Sequence, residues 1–425
     1  MKKLLAMFLC LLLLPIGNAH AAELGRYKRM PSCIIAEDFT DLHSMKKRGW
    51  NVVGTPQISS DSGGRYVDLK DARNDYISFQ NSISLAEGTA IIEVKFDDIS
   101  GEEWEGIMTE SPTSGAGYHL FAYGDGKIAF FNNNHKSGVL ENDTWYQVAI
   151  TWDSGGTNYS YIDGVEVGSK DGIGLEFIEL CLGRYNSSSH DLDGEFRKLL
   201  LFNRQLSELE IGQIYNNTVF DYNDDHLIHW WKMDQLEIAD QVGDAPYYSS
   251  NGLTRDREVD GGIYFDGGSD QIRVGETSTL LTNLTVAAKI QRYGEDSHDT
   301  MFMSRVAATS NAFQFRIKSA SNALCVVRAN IAEEANGTIE IGDRAVAHCV
   351  ATYDYDTDAI SLYVNGVHDV TASADEKFVH EYYYTIGERT AGSEEFKGII
   401  YDMKIYDTPL TNLQIEDLYI REGRQ

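Results

Sequence analysis

Two stretches of the chain about 200 residues apart match in order, residue type and spacing, and a repeat of that length means two whole domains rather than a solenoid of short units. Trp145-Tyr146-Gln147-Val148-Ala149-Ile150-Thr151-Trp152-Asp153 answers Val346-Ala347-His348-Cys349-Val350-Ala351-Thr352-Tyr353-Asp354. Tyr161-Ile162-Asp163-Gly164-Val165 answers Tyr363-Val364-Asn365-Gly366-Val367, and Leu182-Gly183-Arg184 answers Ile386-Gly387-Glu388. Asp193-Gly194-Glu195-Phe196 answers Lys397-Gly398-Ile399-Ile400, and the segment from Leu201 to Glu210 answers that from Ile405 to Gln414. The chain therefore reads as one domain over residues 23–220 and a second over 221–425, joined through the polar, acidic run from Asn216 to Asp225.

Within each repeat the local signals are mostly for strands. Val148, Ile150 and Trp152 alternate with other residues, as do Ile360, Leu362 and Val364, and period-2 alternation marks half-buried strands. Asp163-Gly164 and Asn365-Gly366 sit between apolar runs, where their tolerance of positive φ suits tight type I′ hairpins. Ser207-x-x-Glu210 and Thr411-x-x-Gln414 are capping boxes that open one short helix near the end of each unit. Many strands and one late helix predict an all-β protein of two antiparallel β-sandwiches.

Ahead of the repeats, Met1, Lys2 and Lys3 precede an apolar run from Leu4 to Ile16 and small residues around Ala21 and Ala22. This is the pattern of a secretory signal peptide over residues 1–22, and the run is shorter than the roughly 18–20 residues that span a bilayer. Its cleavage would leave no inserted segment and a secreted product, extracellular or periplasmic. The formal charge of −29, from 36 Lys+Arg against 65 Asp+Glu, argues against a nucleic acid, because a phosphate backbone is held by cations. Outside the cytosol disulfides are permitted, and pairing within domains would join Cys33 with Cys181 and Cys325 with Cys349. Four buried free thiols are the alternative.

Trp230-Trp231-Lys232-Met233-Asp234, Gly262-Ile263-Tyr264-Phe265-Asp266-Gly267, Ile386-Gly387 and the run from Phe396 to Tyr406, followed by Leu410 and the capped helix, come in a telling order. The pattern resembles a LamG-like jelly roll of the concanavalin A-like lectin/glucanase superfamily, in two tandem copies. The first copy shares the later markers and departs at its start, where Lys70-Asp71-Ala72 stands in place of Asp266-Gly267-Gly268. The resemblance implies two curved sheets, with calcium as the expected cofactor and a carbohydrate or protein ligand at the rim or concave face. It also implies a cation held by Asp234, Asp240 and Asp402, if the terminal strands pair.

The fold does not choose among lectins, adhesive modules and polysaccharide-cleaving enzymes, so the residues must. Asp191, Asp193 and Glu195 have the i, i+2 spacing that a retaining glycosidase needs on one strand face, although Gly194 suits a turn better. Asp354, Asp356 and Asp358 alternate oxygen ligands suited to a hard cation, and equally suit a turn between strands. No Gly-x-Ser-x-Gly elbow, His-Glu-x-x-His motif or phosphate loop occurs. For binding, aromatic rings beside hydrogen-bonding groups are the useful feature, since a ring covers the apolar face of a sugar while polar groups select its hydroxyls. Trp104, Arg184 with Tyr185, Arg292 with Tyr293, and Glu388 with Arg389 are the candidates. The expectation is a secreted, non-catalytic protein that binds a glycan or an extracellular protein. A glycoside hydrolase or lyase, and a structural surface protein, are the alternatives.

Overall fold

The alternating segments are antiparallel strands in the computed structural model, which describes residues 24–423 outside 31, 40, 70–74, 80–81, 100–103, 111–117, 131–134, 138–139, 172–174, 178, 185–190, 219–225, 234–239, 243–246, 252, 254–257, 260, 269, 278–282, 295–298, 305–311, 329–331, 379–381 and 388–393. The expected signal peptide lies outside the described residues. The chain divides after Thr218 into two compact units. Among the described residues no helix is long and apolar enough to cross a membrane.

In the first unit one sheet runs in the order Val165–Asp171, Thr157–Ile162, Trp145–Asp153, Glu87–Phe96, Gly194–Phe202, Gly64–Leu69, Gln57–Asp61, with Cys33–Glu37 also paired to Gly194–Phe202. The second sheet runs His135–Ser137, Ile128–Phe130, Tyr118–Tyr123, Trp104–Thr109, Leu180–Leu182, Tyr76–Phe79, Trp50–Val53. The second unit repeats the plan. Its larger sheet is Glu258–Val259, Gly262–Asp266, Lys397–Tyr406, Leu284–Arg292, Val346–Asp354, Ala359–Val364, Val367–Ser373, with Leu227–Lys232 paired to Lys397–Tyr406. Its smaller sheet is Tyr247–Asn251, Gln271–Thr277, Tyr382–Ile386, Asp299–Ser304, Phe313–Lys318, Ala323–Arg328, Ala332–Glu340.

Alternation sends every second side chain of both sheets into one interior, which makes each unit a sandwich. Val94, Val148, Trp152 and Phe196 of the larger sheet share a core with Ile107, Leu120, Phe130 and Leu182 of the smaller. In the second unit Val286, Ile290, Tyr353 and Met403 meet Ile272, Phe302, Phe315 and Val326. Each such fully buried side chain contributes about 1.5–3 kcal/mol. The hairpin turns form as their sequences predict: Asp163 and Gly164 take φ of 51° and 79°, Asn365 and Gly366 take 54° and 78°. Both capping boxes are complete, opening the helices Glu208–Tyr215 and Asn412–Leu418. The second helix lays Ile415 and Leu418 on Ala287, Val350, Tyr363 and Tyr406, the side of the larger sheet away from the core.

Gly194 is the first residue, and Gly398 the second, of the strand that returns through the middle of each larger sheet. A Cβ on Gly194 would lie 2.2 Å from the Lys95 carbonyl oxygen, and one on Gly398 would lie 2.1 Å from that of Gln291. Only glycine lets the backbones approach so closely, which explains why this residue recurs in the repeat.

The four cysteines that follow the expected signal peptide, Cys33, Cys181, Cys325 and Cys349, are free and buried, so the expected disulfides do not form. Cys33 stands beside Phe202 in the larger sheet, whereas Cys181 stands between Ser78 and Thr109 in the smaller. Cys325 and Cys349 are likewise split between the two sheets of their unit. Membership of different sheets does not by itself forbid a bridge, but neither pair meets the geometry a disulfide requires, and all four remain thiols. Burial pushes the Cys181 and Cys349 thiols well above their usual pKa, which keeps them protonated.

Candidate functional site

A hollow of about 530 Å3 opens in the second unit, lined by Tyr264, Tyr293, Gly294, Asp343, Arg344 and Lys397. Four distant segments build it. On strand Gly262–Asp266, Ile263 and Phe265 enter the core, so the intervening Tyr264 faces outward. Tyr293 follows the strand Leu284–Arg292, and its N–H donates to the Lys397 carbonyl at 2.8 Å. The turn before Val346–Asp354 supplies Asp343 and Arg344, and the start of strand Lys397–Tyr406 supplies Lys397: Arg344 N–H donates to the Arg292 carbonyl at 2.7 Å, and Gly294 N–H donates to Asp343 Oδ1 at 2.8 Å. Arg344 and Gly294 both take positive φ, 60° and 90°, to turn the chain there.

The rings of Tyr264 and Tyr293 lie 5.8 Å apart, tilted by 45°. The Tyr293 hydroxyl donates to Gln291 Oε1 at 2.9 Å, which holds the ring in place, and the Tyr401 hydroxyl donates to the same oxygen at 3.3 Å. The Arg344 guanidinium stands 5.5 Å from the Tyr293 ring and only loosely faces Asp343, at 3.7 Å. Lys397 is exposed and makes no ion pair among the described residues. The hollow thus offers two ring faces, two cations and one carboxylate. Those are the groups that can stack on the apolar face of a pyranose and bond its hydroxyls.

In the first unit the same face of the larger sheet carries an aromatic group that is already covered. The Arg197 guanidinium lies 4.3 Å from the Trp145 ring, and Trp145 Nε1–H donates to Asp61 Oδ2 at 2.8 Å. Tyr66 meets the same ring edge-on at 5.6 Å, and Arg197 is held in turn by Glu93 at 2.6 Å.

Of the residues singled out in the sequence, Tyr293 lines the hollow and its neighbour Arg292 does not. Arg292 is fully buried; its Nε donates to Asp299 at 2.6 Å and its Nη1 to Asn322 Oδ1 at 2.7 Å. Burial pushes the Asp299 carboxyl up to about 6 against the opposing pull of Arg292. Arg184 is also a structural clamp: it is buried, forks onto Asp191 at 2.6 and 2.7 Å, and lies 4.2 Å over the Tyr76 ring. Both arginines are corrected from ligand contacts to internal supports, because a buried guanidinium is retained only when its charge is paired. Tyr185, Glu388 and Arg389 lie outside the described residues, as does the side chain of Trp104.

The acids are similarly occupied. Asp191 is the partner of Arg184, and Glu195 pairs with Lys95 at 3.2 Å. Asp354 Oδ1 accepts from the N–H of Asp356, and Asp358 pairs with Lys377 at 2.6 Å, a turn held by its own carboxylates. Asp240 spends both oxygens, one on His229 Nδ1 at 2.5 Å and one on the N–H groups of Trp230 and Val242. Asp402 sits in register with Lys232 and Lys289 in mid-sheet. Asp234 lies outside the described residues. Among those described, no three His, Cys, Asp or Glu side chains group as metal ligands.

Sequence reasoning missed Tyr264, Asp343, Arg344 and Lys397. Only Tyr264 carried a signal, its polar-phase position between two core residues; the others reach the hollow through long-range pairing.

Residues 61–212 and 266–416 match the family model described as the concanavalin A-like lectin/glucanases superfamily. No curated protein matches the sequence. Among solved structures, domain 4 of AbnA, an extracellular GH43 arabinanase of Geobacillus stearothermophilus in complex with arabinotriose, is 17% identical with a TM-score of 0.36, over 46% of this chain and 100% of that one. The CBM40 of the Ruminococcus gnavus IT-sialidase, bound to α2,3 sialyllactose, is 14% identical with a TM-score of 0.31, over 37% and 95%. The LG4-5 domains of the mouse laminin α1 chain are 12% identical with a TM-score of 0.28, over 77% and 86%.

Proposed function

Because the chain belongs to the concanavalin A-like lectin/glucanases superfamily, we propose that it is a secreted, non-catalytic binding protein whose second unit holds a carbohydrate between Tyr264 and Tyr293. The observation that carries this reading is the hollow itself: two half-buried rings, with Arg344, Lys397 and Asp343 beside them and little internal pairing to release. Rings supply area at small cost in conformational entropy, and unpaired polar groups at the edge select hydroxyls. Of the three acids in the hydrolase reading, two are engaged elsewhere, Asp191 with Arg184 and Glu195 with Lys95.

A glycan array with the mature protein, run in calcium and again in chelator, tests the reading. Saturable binding that leaves the polysaccharide intact and disappears in Tyr293→Ala is the expected result; loss in chelator as well would assign calcium to the bound state. Shortened products that Asp193→Asn abolishes would move the assignment to a polysaccharide-cleaving enzyme. Silence on every glycan would favour an extracellular protein as the ligand.

A further inference from the structure

A second hollow, of about 450 Å3, lies in the first unit where the hairpin strands Thr157–Ile162 and Val165–Asp171 meet the start of helix Glu208–Tyr215. Tyr159 and Tyr161 stand two apart on one strand and so share a face. Glu166 pairs directly across from Tyr161, and Glu208 is the first residue of the helix. Gln205, on the wall, is spent on Thr151 and Thr157. Ser207 is likewise spent, on Glu210 in the capping box, whereas Tyr161, Glu166 and Glu208 are not. Tyr161 is only 2% exposed, yet its hydroxyl makes no hydrogen bond among the described residues. Glu166 and Glu208 make no ion pair there either. Burial first, then the charges of Glu166 and Glu208, push the Tyr161 hydroxyl above its usual pKa, so both carboxylates act on that oxygen.

The second unit shows the same corner closed. Tyr363 corresponds to Tyr161, and its hydroxyl donates to Asn412 Oδ1 at 2.6 Å, with Asn412 in the place of Glu208. His368, in the place of Glu166, meets the Tyr363 ring edge-on at 5.2 Å. The first unit replaces the neutral partner with carboxylates and leaves a buried phenol facing them. Two anions and a phenol around one space lack a cation with hydrogens to donate.

We propose that this hollow is a binding site for a lysine or arginine side chain of a partner protein. The cation donates to Glu166, Glu208 and the Tyr161 oxygen, and its charge lies against the tyrosine rings, an arrangement that strengthens as water is displaced. The rim favours a peptide over a sugar: Val165 and Leu209, each adjacent in sequence to one of the carboxylates, are 64% and 62% exposed. The charge of −29 also draws a basic partner from a distance.

The test is a fluorescence-anisotropy titration of the full chain with a labelled acetyl-Leu-Lys-Val-Gly amide, the same peptide with norleucine for lysine, and tetraglucosamine as competitor. The lysine peptide should saturate and the norleucine peptide should not. Glu166→Gln combined with Glu208→Gln should weaken the lysine peptide by about tenfold or more, and Tyr161→Phe, which removes only the hydroxyl, by about threefold. Glu87→Gln with Glu141→Gln, an equal charge change elsewhere, should leave it unchanged. Equal affinity in the Glu166/Glu208 variant, or for the norleucine peptide, would overturn the proposal. Tetraglucosamine binding more tightly than the peptide would overturn the protein partner.

Discussion

In the second unit Tyr293 N–H bonds to the Lys397 carbonyl and Arg344 N–H to that of Arg292; in the first, Asp97 N–H bonds to the Asp193 carbonyl and Asp143 N–H to that of Phe96. These pairs mark one corner built twice. Asp68, Asp97, Asn142, Asp143 and Asp193 therefore occupy the places of Tyr264, Tyr293, Asp343, Arg344 and Lys397. The backbone is shared while the side chains are nearly opposite: four aspartates in one unit, two rings and two cations in the other. One position deeper, Phe96 packs in the core of the first unit where the second buries Arg292 against Asp299 and Asn322. Strand register thus delivers positions, and the residue types placed there decide whether a corner repels, packs or binds.

The largest expected effect comes from the buried arginine. Arg292→Ala should lower the stability of the second unit by about 3–5 kcal/mol, because it strands Asp299 in a buried site. Urea unfolding should show the loss, and Arg292→Leu combined with Asp299→Leu should recover most of it if apolar packing can serve as Phe96 does. Equal losses in the single and double variants would mean that the network has no apolar substitute.

Next comes pH. Gln147 in the first unit has His348 as its counterpart, each donating its N–H to the side chain of the following hairpin turn. His348 is fully buried, and burial, with Lys404 and Lys289 nearby, pushes its pKa down to about 3. Its folded pKa lies below the unfolded value of about 6.5, so the stability it allows is complete above pH 6.5 and is lost as pH falls towards 3. The loss should be about 1.4 kcal/mol per pH unit, and His348→Gln should flatten it. A variant that loses stability with acid as steeply as the parent would place the sensitivity elsewhere.

Tyr293→Asp installs the residue of the first unit in the hollow of the second. Glycan affinity should fall about tenfold or more, with stability changed by less than about 0.5 kcal/mol. The smallest effects concern what the units share: Ser207→Ala and Thr411→Ala should each cost about 1 kcal/mol, since both remove the same cap. Unequal costs in thermal melts would show that the two helices are not held alike.

Much of the fold was legible because its rules are local. Asp163-Gly164 and Asn365-Gly366 had to turn, and Ser207-x-x-Glu210 and Thr411-x-x-Gln414 had to begin helices, for reasons contained within four residues. Arg292 was misread as a ligand group, although its place two residues beyond Ile290 keeps it in the core-facing phase of the strand. Arg184 was misread for want of its partner: nothing local says that Asp191 returns to neutralise it. The disulfides failed for a related reason, since cysteine counts say nothing of which sheet each thiol joins.

By itself the sequence determined the tandem repeat, the strand periods, the turns, the caps and a ring at Tyr293, because each depends on neighbours a few bonds away. Only the tertiary structure decided that Tyr264, Asp343, Arg344 and Lys397 gather around that ring. It also decided that Tyr161 faces two carboxylates while Tyr363 finds an amide. Those outcomes depend on pairing between segments far apart in the chain, and whether a charge is free or spent is a property of the pair, not of either residue.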